Sequence, residues 1–223
     1  MSMDTGMFTG SKGFADGGGV WGLVLAGGSS SRMGQDKALL SLGGKPLIEH
    51  VIQRIKPLVA GVSLVVNEPE TYRFLGLPIV RDPEPHQGPL MGLYAGLMAC
   101  PTPWALVVAC DTPFLQEPLL RKLLDGSEDK TVVVTEVGGE RQPLPALYAA
   151  FCAADIGAML QAGRRALRDL VSSVPVRVIQ EAEVRALDPE MHSFLDLDTA
   201  EELRKAEELY SGGAQGAEHA REE

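Results

Sequence analysis

The chain has 223 residues, 45% of them hydrophobic and 22% charged, an ordinary globular composition long enough to bury a full core without disulfides or metals. Twenty basic residues against thirty acidic ones give a net charge of −10. That balance argues against nucleic-acid binding, which needs a basic face to displace counterions, but leaves room for a small anionic ligand in a local basic pocket. The three cysteines, Cys100, Cys110 and Cys152, form no CxxC pair, so neither a disulfide framework nor a zinc knuckle is suggested and a reducing cytoplasm fits best. No apolar run approaches the roughly 20 residues that cross a bilayer. Residues 1–19 lack the apolar core of a signal peptide and read as a flexible leader. Residues 20–210 read as one domain, and 211–223 as a disordered polar tail.

Strand and helix signals alternate through the body. Val20 to Ala26 is a short apolar run without helical period, met at once by glycines: a buried strand. Pro46 opens a helix with Ile48, Val51, Ile52 and Ile55 on one stripe, and Pro57 stops it. Val62 to Val66 is the next strand and Pro78 to Val80 a shorter third. Gly88-Pro89 starts a helix with Leu90, Leu93 and Leu97 on one side, ended by Pro101 and Pro103. Trp104 to Ala109 is the clearest buried strand, and Leu115 to Asp125 a helix. Thr131 to Thr135 is β-branched and strand-like. Helices near 151–160 and 164–171, a strand at 174–179 and a helix from Thr199 to Leu209 complete the order. Apolar strands alternating with helices imply an α/β fold, with a parallel sheet covered on both faces.

Ligands of such sheets bind at the carboxyl ends of the strands. Polar residues stand at each of these ends. Gly27-Gly28-Ser29-Ser30-Ser31-Arg32-Met33-Gly34-Gln35-Asp36-Lys37 comes after the first strand, Asn67 after the second, Arg81-Asp82 after the third and Cys110-Asp111-Thr112-Pro113 after the fourth. The first loop reads as a phosphate cradle: glycines let backbone N–H groups close on an anion, and Arg32 and Lys37 add positive charge. It is not a Walker A loop, because Gln35 succeeds Gly34 where lysine is required. Gly17, Gly19 and Gly22 satisfy GxGxxG, but they precede the strand that the dinucleotide fingerprint must follow. Asp111 is a candidate Mg²⁺ ligand, since Mg²⁺ takes one or two carboxylates plus substrate phosphates. Asp111 and Asp82 also both fit the turn-forming Asp found ahead of proline. Asp196 and Asp198 alternate with Leu195 and Leu197, so they share a face and can complete a metal site with Asp111. Asp198 with Glu201 also fits a helix capping box, and that reading is preferred. Cys110 reads as a strand-end thiol without an activating base. The histidines show no ligand spacing, and His50 reads as helix surface.

These segments resemble the molybdenum cofactor guanylyltransferases. Leu25-Ala26-Gly27-Gly28, Arg32-Met33-Gly34 and Asp36-Lys37-Ala38-Leu39-Leu40 carry the first signature. Gly88-Pro89-Leu90-Met91-Gly92, Cys110-Asp111-Thr112-Pro113-Phe114, Pro143 to Tyr148 and Phe194 to Leu203 carry the later ones, in the family's order. The resemblance implies a three-layer αβα, Rossmann-like nucleotide-diphospho-sugar transferase fold with a mostly parallel sheet. It implies transfer of GMP from GTP to the phosphate of molybdopterin, with release of pyrophosphate and with Mg²⁺ as cofactor. Leu25, Ala26, Gly27, Gly28, Lys37, Asn67, Asp82 and Asp111 then contact the nucleotide, Asp111 binds the metal, and Arg32, Lys37 and Asp111 act in catalysis. The family often carries Asn where this chain has Asp196 and Asp198, and basic residues near Arg164 and Arg165. Molybdoenzyme apoproteins or cofactor-delivery proteins are the implied downstream partners, with no membrane. A cytidylyltransferase or sugar- or alcohol-phosphate nucleotidyltransferase of the same fold, or a non-catalytic GTP-binding module, are the alternatives.

Overall fold

A computed structural model describes residues 19–27, 36–83, 88–126 and 130–219, with side chains up to residue 212. The elements in chain order are β1 (Val20–Ala26), β2 (Ser41–Leu42), β3 (Lys45–Pro46), α1 (Leu47–Ile55), β4 (Val62–Val66), β5 (Ile79–Arg81), α2 (Pro89–Met98), β6 (Trp104–Ala109) and α3 (Glu117–Leu124). Then come β7 (Val132–Val137), β8 (Glu140–Ala149), α4 (Ala153–Gln161), α5 (Leu167–Ser173), β9 (Val176–Ile179), α6 (Glu181–Leu187) and α7 (Ala200–His219). Short 3₁₀ segments, including Lys37–Leu39 and Pro69–Leu75, join them.

Seven strands form one sheet in the order β5-β4-β1-β6-β8-β7-β9. All pairs are parallel except those of β8, which runs against both β6 and β7. The period of two along each strand sends alternate side chains to opposite faces. In β1, Val20 and Val24 join the core under α1, α3 and α6, while Leu23 joins the core under α2, α4 and α5. Leu106 and Val108 of β6 take the first side, Ala105 and Val107 the second. The result is the expected three-layer αβα arrangement. Truncating a fully buried side chain such as Leu23 costs about 2–5 kcal/mol, because the close-packed layers collapse only partly into the void.

Three features differ from the sequence expectation. The sheet is mostly parallel, as the resemblance implies, but it contains the antiparallel strand β8, which goes unread in the sequence because Pro143 and Pro145 ordinarily argue against a strand. The turn Gly138-Gly139, with both φ angles positive (62° and 76°), closes the β7–β8 hairpin and is the sequence signal for it. His50 is buried rather than surface: its Nε2 lies 2.8 Å from the Leu42 carbonyl oxygen and its ring meets Tyr210 edge-on. Finally, α7 runs on through His219, ten residues past Leu209, although Ser211, Gly212 and Gly213 are poor helix formers. Its first turns are anchored by Ala206 and Tyr210 against Leu40, Leu42 and Leu47, and an anchored helix propagates more easily than it nucleates. Among the described residues no helix is long and apolar enough to cross a membrane.

Candidate active site

Because β1, β4, β5 and β6 run in one direction, their carboxyl ends open on one edge of the sheet. There the chain places two adjoining environments. The first is a small hollow lined by Leu25, Gly27, Val65, Asn67, Asp82, Pro89 and Gly92. Asp82 is held at its rim by its own backbone N–H, which donates to the Val66 carbonyl at 2.9 Å. Among the described residues the Asn67 side-chain oxygen is buried there without a hydrogen-bond partner, a costly arrangement that a ligand's N–H or O–H would relieve. Gly27 leaves that oxygen open: a Cβ at position 27 would stand 3.0 Å from it. Pro89, the first residue of α2, is part of the lining, so the positive end of that helix dipole lies against the hollow. Ala26, by contrast, turns its methyl into the core, so it can offer a ligand only backbone.

The second environment surrounds the tip of β6. Lys37 stands on the 3₁₀ turn at the end of the first loop, and its side chain is only 13% exposed. Its ammonium donates to Asp198 Oδ1. The loop carrying Asp198 is tied to the strand tip, because the Leu197 N–H donates to the Asp111 carbonyl at 3.2 Å. Leu197 itself is buried with Phe114 and Leu40, whereas Leu195 stays exposed, so the loop is pinned by one leucine of the pair. Behind it, buried Asp188 accepts from the N–H groups of His192 and Ser193, and the Ser193 hydroxyl accepts from Gln116 N–H. These bonds orient the loop that presents Asp196 and Asp198, and no spacing rule in the sequence points to Asp188.

The capping box at the start of α7 is built from Thr199 and Glu202, not from Asp198 and Glu201. Glu202 accepts from the N–H groups of Asp198 and Thr199, and the Thr199 hydroxyl accepts from Glu202 N–H. Asp198 is thereby released for Lys37.

Burial drives the Asp111 carboxyl above its ordinary range, and the Asp198 charge adds to this, while a backbone hydrogen bond and Lys37 oppose it. Asp196 lies on the exposed side of the loop, yet partial desolvation and then the Asp111 and Asp198 charges push it up to about 6. Burial, then Asp111 and Asp36, push the Cys110 thiol well up, so it remains protonated and is no nucleophile. Among the described residues no three His, Cys, Asp or Glu side chains form a ready-made metal cage. Mg²⁺ needs none: one or two carboxylates and phosphate oxygens suffice. Crowded, partly desolvated carboxylates are a donor set that fits such a cation, and Asp111 with Asp196 are the residues that would hold it.

Of the residues expected from sequence, Leu25, Gly27, Asn67 and Asp82 meet at the hollow, while Lys37, Asp111, Asp196 and Asp198 meet at the β6 tip. Gly28 and Arg32 lie outside the described residues. Arg164 is paired with Asp169, and the Arg165 carbonyl accepts from Leu90 N–H at 3.4 Å, backing the start of α2. Tyr72, which donates its hydroxyl to Asp36, has no signal in the sequence; it stands 36 positions from its partner, with no motif linking them.

Residues 22–178 match the family model described as the MobA-like NTP transferase domain. The chain belongs to the MobA-like NTP transferase family. Within it, the chain is 36% identical over 196 residues to the molybdenum cofactor guanylyltransferase of Desulfosudis oleivorans, covering 87% of this chain and 97% of that one. It is 38% identical over 195 residues to the molybdenum cofactor guanylyltransferase of Cereibacter sphaeroides, covering 85% and 96%. Among solved structures it superposes on molybdopterin-guanine dinucleotide biosynthesis protein A from Archaeoglobus fulgidus with a TM-score of 0.75 and 25% identity, covering 86% of this chain and 99% of that one. The family match spans the strands that supply the hollow and the β6 tip. The Asp196–Asp198 loop falls beyond it.

Proposed function

We propose that this member of the family transfers GMP from GTP to the terminal phosphate of molybdopterin and releases pyrophosphate, with Mg²⁺. The reading is carried by the orphaned Asn67 oxygen in the hollow, beside Asp82 and next to the Lys37–Asp111 cluster. Guanine and ribose bring N–H and O–H donors to such acceptors, and a triphosphate brings anionic charge to the lysine.

The attacking oxygen of a phosphate is already an anion near neutral pH, so no general base is needed. The barrier is the approach of one anion to another, and positioning and electrostatics lower it. Asp111 and Asp196 would hold the Mg²⁺, which would supply positive charge to offset that of the phosphates. Lys37, and Arg32 from the glycine loop, would balance charge on the departing pyrophosphate. Backbone N–H groups of that loop would hold the remaining oxygens. Asp196 and Asp198 set the limit on anionic charge that the site tolerates. Three free cysteines, Cys100, Cys110 and Cys152, support a reaction in the reducing cytoplasm, and its product would pass to molybdoenzyme apoproteins or cofactor-delivery proteins.

Pyrophosphate release from GTP, CTP, ATP and UTP, with molybdopterin and Mg²⁺, tests this directly. GTP alone should support turnover. A preference for CTP would move the assignment to a cytidylyltransferase, and tight GTP binding without release would make the chain a non-catalytic binding module.

A further inference from the structure

Tyr72 is buried to 1% exposure in the core between α1 and the sheet, yet its hydroxyl reaches out to a carboxylate at the surface. That carboxylate, Asp36, is the residue immediately before Lys37. One of its oxygens receives the Tyr72 hydroxyl; the other accepts the Ala38 N–H at 3.1 Å and so caps the 3₁₀ turn on which Lys37 stands. The Asp36 carboxylate is therefore fixed at both oxygens, one by the turn and one by a rigid core side chain. Burial, and then Asp36 itself, raise the Tyr72 phenol, so it stays a donor at any working pH. The other end of the tyrosine's segment matters as well. The 3₁₀ stretch Pro69–Leu75 begins two residues after Asn67, whose oxygen is orphaned in the hollow. One short, proline-started segment thus runs from the nucleoside hollow to the lysine's turn.

We infer that Tyr72 is a positioning residue for Lys37: through Asp36 it fixes the turn that aims the ammonium at the phosphates, in register with the hollow set by Asn67. This rests on the reading of Lys37 as a phosphate-contacting group. Without the strut, the turn keeps its Asp36 cap and its buried Ala38, but Asp36, the residue that precedes Lys37, loses its hydrogen bond to the core.

The test is a double-mutant cycle in the full-length enzyme, read by steady-state GTP kinetics and by thermal unfolding. Tyr72→Phe keeps the ring and removes the hydroxyl. In the parent background it should lower kcat about tenfold and raise the GTP KM about fivefold, as expected for a lost hydrogen bond to a charged group. In a Lys37→Ala background it should change neither parameter further, although its effect on unfolding should be the same in both. Equal kinetic losses with and without Lys37 would show a merely structural hydroxyl and overturn the proposal. So would unchanged kinetics in Tyr72→Phe where Lys37→Ala is impaired. If Lys37→Ala itself is fully active, the phosphate role of Lys37 falls first, and the strut with it. Should Tyr72→Phe fail to fold, Asp36→Asn carries the same cycle from the solvent side, since its amide oxygen keeps the Ala38 cap while the charge that receives the Tyr72 hydroxyl is lost.

Discussion

At the hollow between β1, β4 and α2, the ligand-facing groups are glycines, an apolar rim, the buried Asp82 and an uncharged oxygen with nothing to bond. One strand away, at the tip of β6, a lysine and three carboxylates crowd together, and the lysine is already engaged by one of them. The first region has an unmet acceptor; the second has an excess of negative charge. The contrast teaches a division of labour. On the proposed reaction, a group that satisfies an acceptor in the hollow would gain the same energy in the ground state and the transition state and so govern affinity. Charge at the β6 tip would then matter most where phosphate charge redistributes and so govern turnover.

Substitutions can break this division or sharpen it. The largest effect is expected for Asp111→Ala with GTP, molybdopterin and Mg²⁺ supplied: kcat should fall by about 10²–10³-fold, the scale of one well-placed electrostatic group. Near-normal turnover would remove Asp111 from the chemistry. Asn67→Ala should do the opposite, raising the GTP KM about tenfold while kcat stays within a factor of about two, since only uniform binding is lost. A kcat defect of similar size would erase the distinction between the two regions.

A smaller effect concerns stability. The Asp196 carboxyl is raised from 3.8 to about 6, so the folded protein binds more protons than the unfolded chain between those values. Stability therefore falls as pH rises through that window, and the penalty is fully present above pH 6. In chelator-treated protein, Asp196→Asn should raise stability at about pH 7.5 by about 1 kcal/mol, a figure discounted for solvent screening, or ~2–4 °C in Tm. At about pH 3.5, below both values, the two proteins should melt alike; a pH-independent gap would rule out charge as the cause. Smallest is Asp198→Asn. Releasing Lys37 from its carboxylate should tighten metal-free GTP binding about threefold by calorimetry, as befits a half-exposed ion pair. Weaker binding would mean that Asp198 orients the lysine for phosphate instead of competing with it.

Much of this is readable in one dimension. The buried strands β1, β4 and β6 are uninterrupted apolar runs, and polar residues enter abruptly at Gly27, Asn67 and Asp111, so the strand ends mark the site. The resemblance of the Gly27–Leu40 and Cys110–Phe114 segments to a nucleotidyltransferase signature sharpens that reading into an activity. The features hidden from sequence depend on partners distant along the chain. Strand β8 carries prolines that a strand seldom tolerates, and its pairing with β6 and β7 overrides them. His50 reads as helix surface because nothing in α1 announces that Tyr210 covers it. Asp198 and Glu201 have capping-box spacing, but the cap geometry selects Thr199 and Glu202 one position on.

The amino-acid order alone determined the layered α/β plan, because hydrophobic period and punctuating glycines and prolines are local properties of the chain. It also determined which residue types stand at the strand ends. Only the folded arrangement decided what those residues do to one another: that Asn67 is left without a partner for its oxygen, that Lys37 commits its charge to Asp198, and that Tyr72 reaches Asp36. Those outcomes hinge on distances of a few ångströms between segments far apart along the chain, and electrostatic and hydrogen-bond energies change steeply over such distances.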